Sequence, residues 1–529
     1  MAEPALPPHI EALLSPEAYP QRPERVELLQ THISYVFLAG ELVYKVKKPL
    51  NLGFLDYSTL EKRKRFCEEE VRLNRRLCEG AYLDVVPVVQ DGGTVRVETR
   101  GDVVDYAVKM RRLPAEGMMS GLLERDEVTS DQLTQLARRL ADFHASSDRS
   151  DEIDRYGGLE TAMGNWRENF EQTEPYLGRT IRHAQLDDIR AFVESVSEFD
   201  AELFAQRVRE GRARDCHGDL RTDAVCFTEG HACIYDCIEF NERFHYSDVA
   251  ADIAFLAMDL EFRGRQDLSD ELMGRYLGFT LDSTLPLLLP FYKCYRAYVR
   301  GKVDGFQLDQ PEVGEAQKAR AQAGARRYFE LAHEYAVHRT PRLLIVTVGV
   351  TGSGKSYLAN ALAARLGAVI LSSDVTRKRL LGIDPTEPRV EPFAQGSYRP
   401  EITEQTYRAL LDEALRWLGR DKPVILDATF LQRAHRQAVL RLARETESPF
   451  LAVECEADEA LVYERLSERR GEERAVSDGR WEIYQAQQDG REPVDELPVG
   501  CHMIAETARP LREQLAAVVA HLGLPGAEA

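Results

Sequence analysis

The strongest constraint on the fold of this chain is a run of eight residues at 349–356, Gly-Val-Thr-Gly-Ser-Gly-Lys-Ser. The apolar and β-branched residues at 343–348 predict a buried strand before it, and the residues at 357–363 predict a helix directly after it. A glycine-rich turn that ends in Lys-Ser between a strand and a helix is the pattern of a phosphate-binding loop. The sequence therefore predicts a nucleotide-binding domain around this stretch.

The chemistry of such a loop assigns its residues. Glycines let successive backbone N–H groups point at a polyphosphate, and the N-terminus of the helix adds partial positive charge. Lys355 is expected to reach the β- and γ-phosphates and so to act in catalysis, and Ser356 is expected to bind Mg²⁺. The residues expected to contact the nucleotide are Gly349, Gly352, Ser353, Gly354, Lys355, Ser356 and Tyr357.

The length of the chain predicts more than one domain. It has 529 residues, of which 44% are hydrophobic, and this exceeds what one hydrophobic core usually supports. The segment Arg339-Thr340-Pro341 breaks a helical pattern just before the phosphate-loop strand, so we predict two domains, 1–337 and 338–529. The net charge of −20 argues against broad binding to nucleic acid or to a membrane surface.

Cysteine usage and the N-terminus predict the compartment. The nine cysteines show no paired C-x-x-C spacing, so neither a disulfide framework nor a zinc site is expected. Met1-Ala2-Glu3-Pro4 lacks a basic region followed by an apolar core, and no apolar run is long enough to span a bilayer. We therefore expect an unexported, cytoplasmic protein without a membrane partner.

Strands and helices alternate in the second predicted domain. Strands are predicted at 368–371, 423–426 and 450–455, helical stretches lie between them, and 501–504 is a candidate for a last strand. Such alternation predicts an α/β domain with a doubly wound parallel sheet, in which ligands bind at the carboxyl ends of the strands.

Two features of the first predicted domain concern charge. The strands predicted at 33–38 and 41–49 form a hairpin, and Lys45 and Lys47, two residues apart, share one face of the second strand. The apolar stretch at 232–240 predicts a buried strand that acidic residues interrupt. Because burying carboxylates without partners is costly, a metal ion or another cation is expected near that strand.

Four short motifs follow one another in this domain: the helical segment from Leu136 to His144, His217-Gly218-Asp219-Leu220, Ile238-Glu239-Phe240 and Asp252-Ile253-Ala254. Their order and spacing resemble the aminoglycoside phosphotransferase and choline-kinase branch of the protein-kinase-like fold, an α+β architecture. The resemblance implies that Asp219 orients or deprotonates a substrate hydroxyl. It places Mg²⁺ at Glu239, with Asp236 as the alternative ligand.

The same resemblance implies how the nucleotide is held. Lys45 pairs with the α- and β-phosphates and with a glutamate of the helix predicted at 59–77, for which Glu70 is the candidate; Lys47 is the fallback lysine. Ala224 departs from the family, which has a metal-binding asparagine at that position, five residues after the catalytic aspartate. Three outcomes stay open there: a site with one ion, a contribution from Asp223, or loss of phosphate transfer.

The second domain resembles the small phosphate-loop kinases that include polynucleotide 5′-hydroxyl kinase, gluconate kinase and zeta toxin. Beyond the loop, the resemblance rests on the segments at 372–377 and 426–430. It implies that Asp374 is the base that faces the acceptor hydroxyl, that Arg377 holds an acceptor phosphate or carboxylate, and that Asp427 lies beside Mg²⁺ or the acceptor. Arg465, Arg469 and Arg470 are candidates for a lid arginine that neutralises the transferring phosphoryl group; a solvated helix face is the alternative.

As a whole, the chain resembles bacterial fusion proteins that pair these two domains. We therefore expect a Mg²⁺-dependent phosphotransferase that uses ATP, or GTP, and has two nucleotide sites. The expected acceptor is a hydroxyl group of a small metabolite, antibiotic or sugar. Two alternatives stay open: phosphorylation of a 5′-hydroxyl at a nucleotide or nucleic-acid end, and a nucleotide-gated regulatory protein with a kinase-like sensor domain.

Overall fold

The computed structural model describes residues 6–228, 230–311, 313–387, 396–469 and 480–524. The described residues form two compact units, one from Met1–Asn165 and Phe199–Asp259, the other from Trp166–Glu198 and Leu260–Ala529. Each unit has its own sheet and its own hydrophobic core. The domain boundary expected between residues 337 and 338 stays a prediction.

The described strands, in chain order, are β1 (Glu27–Gln30), β2 (Ser34–Ala39), β3 (Leu42–Lys47), β4 (Tyr82–Asp91), β5 (Thr94–Val97), β6 (Asp102–Arg111), β7 (Ala213–Asp215), β8 (Val225–Thr228), β9 (His231–Ile234), β10 (Tyr246–Asp248), β11 (Leu344–Val348), β12 (Val369–Ser372), β13 (Val424–Asp427), β14 (Phe450–Glu456) and β15 (His502–Glu506). The described α-helices are α1 (Pro8–Ala12), α2 (Leu60–Arg75), α3 (Met119–Glu124), α4 (Ser130–Ser146), α5 (Asp151–Tyr156), α6 (Leu159–Thr173), α7 (His183–Phe199), α8 (Ala201–Arg209), α9 (Glu242–His245), α10 (Val249–Phe262), α11 (Gln266–Thr280), α12 (Leu285–Phe306), α13 (Glu315–Val337), α14 (Lys355–Leu366), α15 (Ser373–Leu380), α16 (Pro400–Leu418), α17 (Arg433–Glu445), α18 (Glu459–Arg469), α19 (Trp481–Asp489) and α20 (Leu511–His521).

The first unit is built on an antiparallel sheet with the strand order β1-β2-β3-β6-β4-β5. The predicted hairpin of β2 and β3 is confirmed, and Gly40 makes its turn with a φ of +68°. Val43 of β3 packs in one core with Cys67 and Val71 of α2. Because alternate residues of a strand share a face, Lys45 and Lys47 lie on this same face, toward α2.

The strand predicted at 232–240 is wrong in its second half, because β9 ends at Ile234. Asp236 has a φ of +67°, a left-handed conformation that cannot continue a strand. The backbone N–H of Cys237 donates to Oδ1 of Asn74 at 2.9 Å, and that of Ile238 donates to the carbonyl of His217 at 3.1 Å. Hydrogen bonds of this loop, rather than a sheet ladder, therefore position the acidic residues.

The expectation that no cysteines pair is wrong at one place. Cys78, just after α2, and Cys233, in β9, form a disulfide with their Cα atoms 4.7 Å apart. They are separated by 155 residues in the chain, so their spacing gave no signal. The other cysteines, all within the described residues, are free thiols.

The second unit contains the predicted parallel sheet, with the strand order β12-β13-β11-β14-β15. All four strands predicted after the phosphate loop are present. Helices α14 and α20 share one core with the sheet, in which Leu362 and Val518 pack with Ile345 and Val453. The sheet is covered further by α16, which packs against β12, β13 and α17. Since β11 is central, its carboxyl end is a predicted ligand position of a doubly wound fold.

Helices before the phosphate loop belong to this second unit. α11 packs along α14, and a Cβ atom on Gly274 would lie 3.1 Å from the Cβ of Ala361. Nearby, Arg365 pairs with Asp270 at 3.0 Å. The helix that follows the phosphate loop is thus supported by α11 as well as by the sheet.

Among the described helices, none combines the length and the apolar composition that crossing a membrane requires.

Candidate active sites

The phosphate loop connects β11 to α14. Gly352 and Gly354 have φ values of +78° and +89°, which other residues rarely adopt, and Gly354 caps the N-terminus of α14. At Gly349 a Cβ atom would lie 2.7 Å from the carbonyl oxygen of Cys455, so only glycine fits against β14. The loop conformation therefore depends on the three glycines that the sequence pattern singled out.

Polar groups of the loop are arranged to hold an anion. Lys355 is buried, and its Nζ donates to the carbonyl of Val350 across the loop at 2.6 Å. The hydroxyl oxygen of Ser353 is buried without a hydrogen-bond partner among the described residues. A buried ammonium group and an unsatisfied hydroxyl beside a helix N-terminus fit a phosphate group. The ring of Tyr357, the last residue predicted to contact the nucleotide, lies against the guanidinium of Arg275 on α11.

Oxygen ligands for Mg²⁺ meet next to this loop. Asp427, at the carboxyl end of β13, is buried and is hydrogen-bonded by Ser356. Burial raises the pKa of Asp427, although the Ser356 hydroxyl and the Lys355 ammonium act in the opposite direction. A carboxylate and a hydroxyl beside the phosphate loop are the donor types that Mg²⁺ binds, so these two residues fit the ion.

The predicted acceptor residues lie on α15, after β12. Arg377 is buried, and its Nη1 donates to Oδ1 of Asp374 at 2.8 Å. Its guanidinium lies 4.4 Å from the ring centroid of Tyr398, and its Nε is without a hydrogen-bond partner among the described residues. Asp374 is close enough to raise the pKa of Asp427 electrostatically. The structure thus brings Asp374, Arg377, Asp427 and the phosphate loop together at one edge of the sheet.

Sequence reasoning missed three residues of this edge. The hydroxyl of Tyr407 on α16 is 3.2 Å from Thr429 Oγ1 and accepts from the N–H of Phe430 at 3.2 Å. The N–H of Thr351 in the loop donates to Oε1 of Gln487 on α19 at 2.7 Å. Thr429 follows the Asp427 strand closely and could have been found, whereas Tyr407 and Gln487 come from distant helices with no motif of their own.

The lid arginines are only partly described. Arg465 on α18 donates to Thr507, from Nη1 to the side-chain oxygen at 3.0 Å and from Nη2 to the carbonyl at 2.8 Å. Thr507 in turn donates to the carbonyl of Ser353 in the phosphate loop. The structure therefore holds Arg465 beside the loop. The side chain of Arg469 and all of Arg470 lie outside the described residues.

The first unit holds a second cluster, centred on the two lysines of β3. Lys45 Nζ lies 2.9 Å from Oε1 of Glu70 and 2.6 Å from Oδ1 of Asp236. Lys47 Nζ lies 2.7 Å from Oε2 of the same glutamate and also binds Glu239. Both lysines thus share Glu70 of α2. Burial disfavours their charge, but the surrounding carboxylates outweigh it and raise the pKa of both lysines.

The two acidic candidates for the metal differ in exposure. Glu239 is buried and accepts hydrogen bonds from Lys47 and from the hydroxyl of Tyr57. The side chain of Asp236 is 56% exposed, and Lys45 lowers its pKa. Asp236 therefore keeps carboxylate surface for an ion, whereas Glu239 is committed to a buried ion pair. The geometry favours the alternative ligand, Asp236, over the first choice, Glu239.

The loop that carries Asp219 is fixed by a buried carboxylate. Asp252 of α10 accepts hydrogen bonds from the N–H groups of His217 and Gly218, at 3.0 and 2.9 Å. It also lies 3.2 Å from Nε2 of His144, which is buried. Asp219 itself is paired with Arg221, from Nε to Oδ1 at 3.0 Å and from Nη2 to Oδ2 at 3.1 Å.

Comparison with known proteins finds matches to both parts of the chain. A family model described as "Phosphotransferase enzyme family" matches residues 56–287, and one described as "AAA domain" matches residues 344–494. The uncharacterized protein Rv2004c of Mycobacterium tuberculosis (strain H37Rv) is 33% identical over 451 residues, which are 84% of this chain and 86% of that protein. The uncharacterized protein Mb2027c of Mycobacterium bovis gives the same values.

Solved kinase structures resemble each part of the chain. A choline/ethanolamine kinase family protein from Mesorhizobium loti is 15% identical, with a TM-score of 0.36, and the match covers 62% of this chain and 99% of that protein. A gluconokinase from Sinorhizobium meliloti 1021 is 23% identical, with a TM-score of 0.25, over 35% of this chain and 93% of that protein.

Proposed function

Since the chain belongs to the family of the mycobacterial proteins Rv2004c and Mb2027c, and joins a phosphotransferase domain to a phosphate-loop domain, we propose that it is an ATP-using, Mg²⁺-dependent phosphotransferase with two nucleotide sites. Its acceptors are hydroxyl groups of small molecules. The observation that carries the proposal is the meeting of Lys355, Asp427 and Asp374 at the carboxyl edge of the parallel sheet.

At the phosphate loop, the backbone N–H groups and Lys355 hold the β- and γ-phosphates. Ser356 and Asp427 hold Mg²⁺, which when bound neutralises phosphate charge. Asp374 accepts the proton of the acceptor hydroxyl as the oxygen attacks the γ-phosphorus in line with the leaving group. Each of these groups lies at the same edge of the sheet, as a direct transfer requires.

The surroundings of Arg377 indicate which chemical class of acceptor this site would bind. Its guanidinium is buried, with one N–H on Asp374 and Nε without a partner among the described residues. A planar fork of donors in such a place suits a phosphate or carboxylate group. We therefore expect an acceptor that carries an anionic group as well as the hydroxyl that is phosphorylated.

At the kinase-like site, the roles follow from the lysine cluster. Lys45, oriented by Glu70, binds the α- and β-phosphates, and Asp236 holds Mg²⁺. Asp219 positions or deprotonates the acceptor hydroxyl. Lys47 and Glu239 form the buried pair that keeps Glu70 in place.

A transfer screen with the full chain tests the proposal. ATP labelled at the γ-phosphate is incubated with pooled metabolites, aminoglycosides and 5′-hydroxyl oligonucleotides, and the products are identified by mass spectrometry. The parent, Lys355→Ala, Asp219→Ala and doubly substituted chains are compared. We expect labelled small-molecule products that each single substitution reduces in part and the double substitution abolishes.

Other outcomes separate the alternatives. Labelled oligonucleotides that depend on Lys355 would identify a 5′-hydroxyl kinase instead. Nucleotide binding without any labelled product in the parent chain would contradict a phosphotransferase and favour a nucleotide-gated regulator.

A further inference from the structure

The turn after Asp219 offers few oxygen atoms to a metal ion. Ala224 has only a methyl side chain, and its carbonyl accepts a hydrogen bond from the N–H of Tyr235 at 3.0 Å. The carbonyl of Asp223 accepts from the hydroxyl of Tyr235 at 2.7 Å. Both backbone carbonyls at 223 and 224 thus accept hydrogen bonds from Tyr235. Among the oxygen atoms of these two residues that could ligate a metal ion, only those of the Asp223 carboxylate do not bind Tyr235.

A cation of the chain already lies against that carboxylate. Nη1 of Arg221 donates to Oδ2 of Asp223 at 3.2 Å, while its Nε and Nη2 bind the two oxygens of Asp219. The side chain of Arg221 is only 19% exposed, so solvent screens these pairs incompletely. One guanidinium therefore bridges the catalytic aspartate and the only side-chain carboxylate of the turn.

A third carboxylate fixes the geometry. Asp259 is buried and accepts hydrogen bonds from the N–H and the hydroxyl of Thr222, and its charge also acts on Arg221. Asp259 thus fixes the turn through Thr222. The charges of three carboxylates, those of Asp219, Asp223 and Asp259, act on Arg221. A guanidinium stays protonated in such a place, which makes its positive charge a permanent part of the loop.

We propose that Arg221 supplies the positive charge that a second metal ion would supply beside Asp219, so that the kinase-like site works with a single divalent ion held at Asp236. This inference rests on the proposed phosphotransferase activity of that site. Arg221 acts as a positioning residue: it orients the Asp219 carboxylate through two parallel hydrogen bonds and balances its charge. A second ion in the same place would meet both a fixed positive charge and a turn with no free ligand from residue 224.

Counting bound metal tests the inference without relying on activity. Mn²⁺ bound per chain is measured by electron paramagnetic resonance at saturating non-hydrolysable ATP analogue, for chains that differ only at the kinase-like site. We expect Asp236→Ala to lose one Mn²⁺ relative to the parent. We expect the double variant Arg221→Ala/Ala224→Asn to gain one, because it replaces the fixed cation with an oxygen ligand.

Turnover in a Lys355→Ala background gives the second readout. Arg221→Ala should lower kcat roughly 10²-fold, since it removes donors fixed on the catalytic carboxylate. Arg221→Lys should retain part of the rate. Arg221→Ala/Ala224→Asn should recover activity only at millimolar free Mg²⁺, whereas the parent should need no Mg²⁺ beyond that bound to ATP. Arg125→Ala, which breaks an exposed ion pair with Glu127, is the matched control.

The outcomes are distinguishable. If Asp236→Ala loses two Mn²⁺, or if the double variant neither gains an ion nor recovers turnover, the role of Arg221 is wrong while the phosphotransferase site stands. If Asp236→Ala loses no Mn²⁺ and Asp219→Ala leaves turnover unchanged, the proposed activity of the site fails and the inference fails with it.

Discussion

At the scale of single residues, two lysines on one strand face have different surroundings. Lys45 is 14% exposed and points its ammonium at the half-exposed Asp236, whereas Lys47 is fully buried between Glu70 and Glu239. The sequence could place both on one face, because strand periodicity alone does so. Periodicity could not rank them, and only the family resemblance put Lys45 before Lys47. The difference in their burial depends on Tyr57 and Glu239, which are distant in the chain.

Lys47→Met tests the structural role of the buried lysine. The change leaves Glu239 and one oxygen of Glu70 buried without a cation, and breaking such a pair costs about 3–5 kcal/mol. We expect this loss in the free energy of unfolding measured with denaturant. Lys109→Met is the control, because its pair with Glu98 is partly exposed and is worth about 1 kcal/mol or less. Equal losses for the two variants would contradict the assignment.

Asp374→Asn separates a base from a metal ligand at the phosphate-loop site. If the carboxylate faces the acceptor as proposed, kcat should fall by about 10²–10⁴-fold with the KM for ATP nearly unchanged. The measurement uses an Asp219→Ala background, in which only this site contributes. Asp384→Asn, an exposed aspartate of the following loop, is the control. A parallel loss of ATP affinity would instead place Asp374 on the metal.

The folding stability should depend on pH through the buried carboxylate of Asp252, and the hydrogen bonds of that carboxylate determine the sign. Burial alone would raise the pKa of Asp252, but the hydrogen bond and charge of His144 and the His217 N–H outweigh it and hold the pKa below its usual value. A lowered pKa in the folded state means that the stabilisation is complete above the ordinary value of about 3.9 and is lost as the pH falls below it.

Asp252→Asn should therefore lower stability at pH 7 by about 2–3 kcal/mol, because it weakens charge-assisted hydrogen bonds. It should also flatten the decline of stability between about pH 5 and pH 2. Denaturant unfolding at a series of pH values measures both. If the variant loses stability between about pH 5 and pH 2 as steeply as the parent does, Asp252 is not the titrating group.

At the scale of elements, the phosphate-loop helix is held from two sides. The sequence predicted the strand, loop and helix because their pattern is local, and these predictions are confirmed. The packing of α11 on α14 was not predictable, because it depends on small residues such as Gly274 meeting Ala361 across a helix crossing. The strand predicted through residue 240 failed for a related reason, since hydrogen bonds to Asn74 and His217 decide the backbone there.

Gly274→Val tests this helix contact. The new side chain would meet Ala361 Cβ and backbone atoms within 3.1–3.4 Å, so we expect a loss of about 1–3 kcal/mol in stability. Weaker nucleotide binding at the phosphate loop should accompany it, because α14 carries the loop. Gly278→Val is the matched control, since its Cβ would meet only the side-chain nitrogen of Asn360 at 3.4 Å. Thermal unfolding and nucleotide titration measure the two effects. Equal stability and equal nucleotide affinity of the two variants would show that the contact of Gly274 with Ala361 does not support the phosphate loop.

At the scale of the whole molecule, the proposed function gives the chain two nucleotide sites of different construction. We propose that one binds its nucleotide through glycine N–H groups at the end of a parallel sheet, and the other through a lysine–glutamate pair on an antiparallel sheet. The motifs of both sites are readable from the sequence because each is short and ordered along the chain. The burial that separates Asp236 from Glu239 and the pairing of Asp219 with Arg221 needed the structure, because side chains from separate segments decide the former and loop geometry decides the latter.

We propose that both sites bind nucleotide, and calorimetric titration of the full chain with a non-hydrolysable ATP analogue and Mg²⁺ measures this. We expect two bound nucleotides per parent chain, one for Lys355→Ala, one for Lys45→Ala, and none at the same concentrations for the double variant. One nucleotide per parent chain, unaffected by Lys45→Ala, would contradict it.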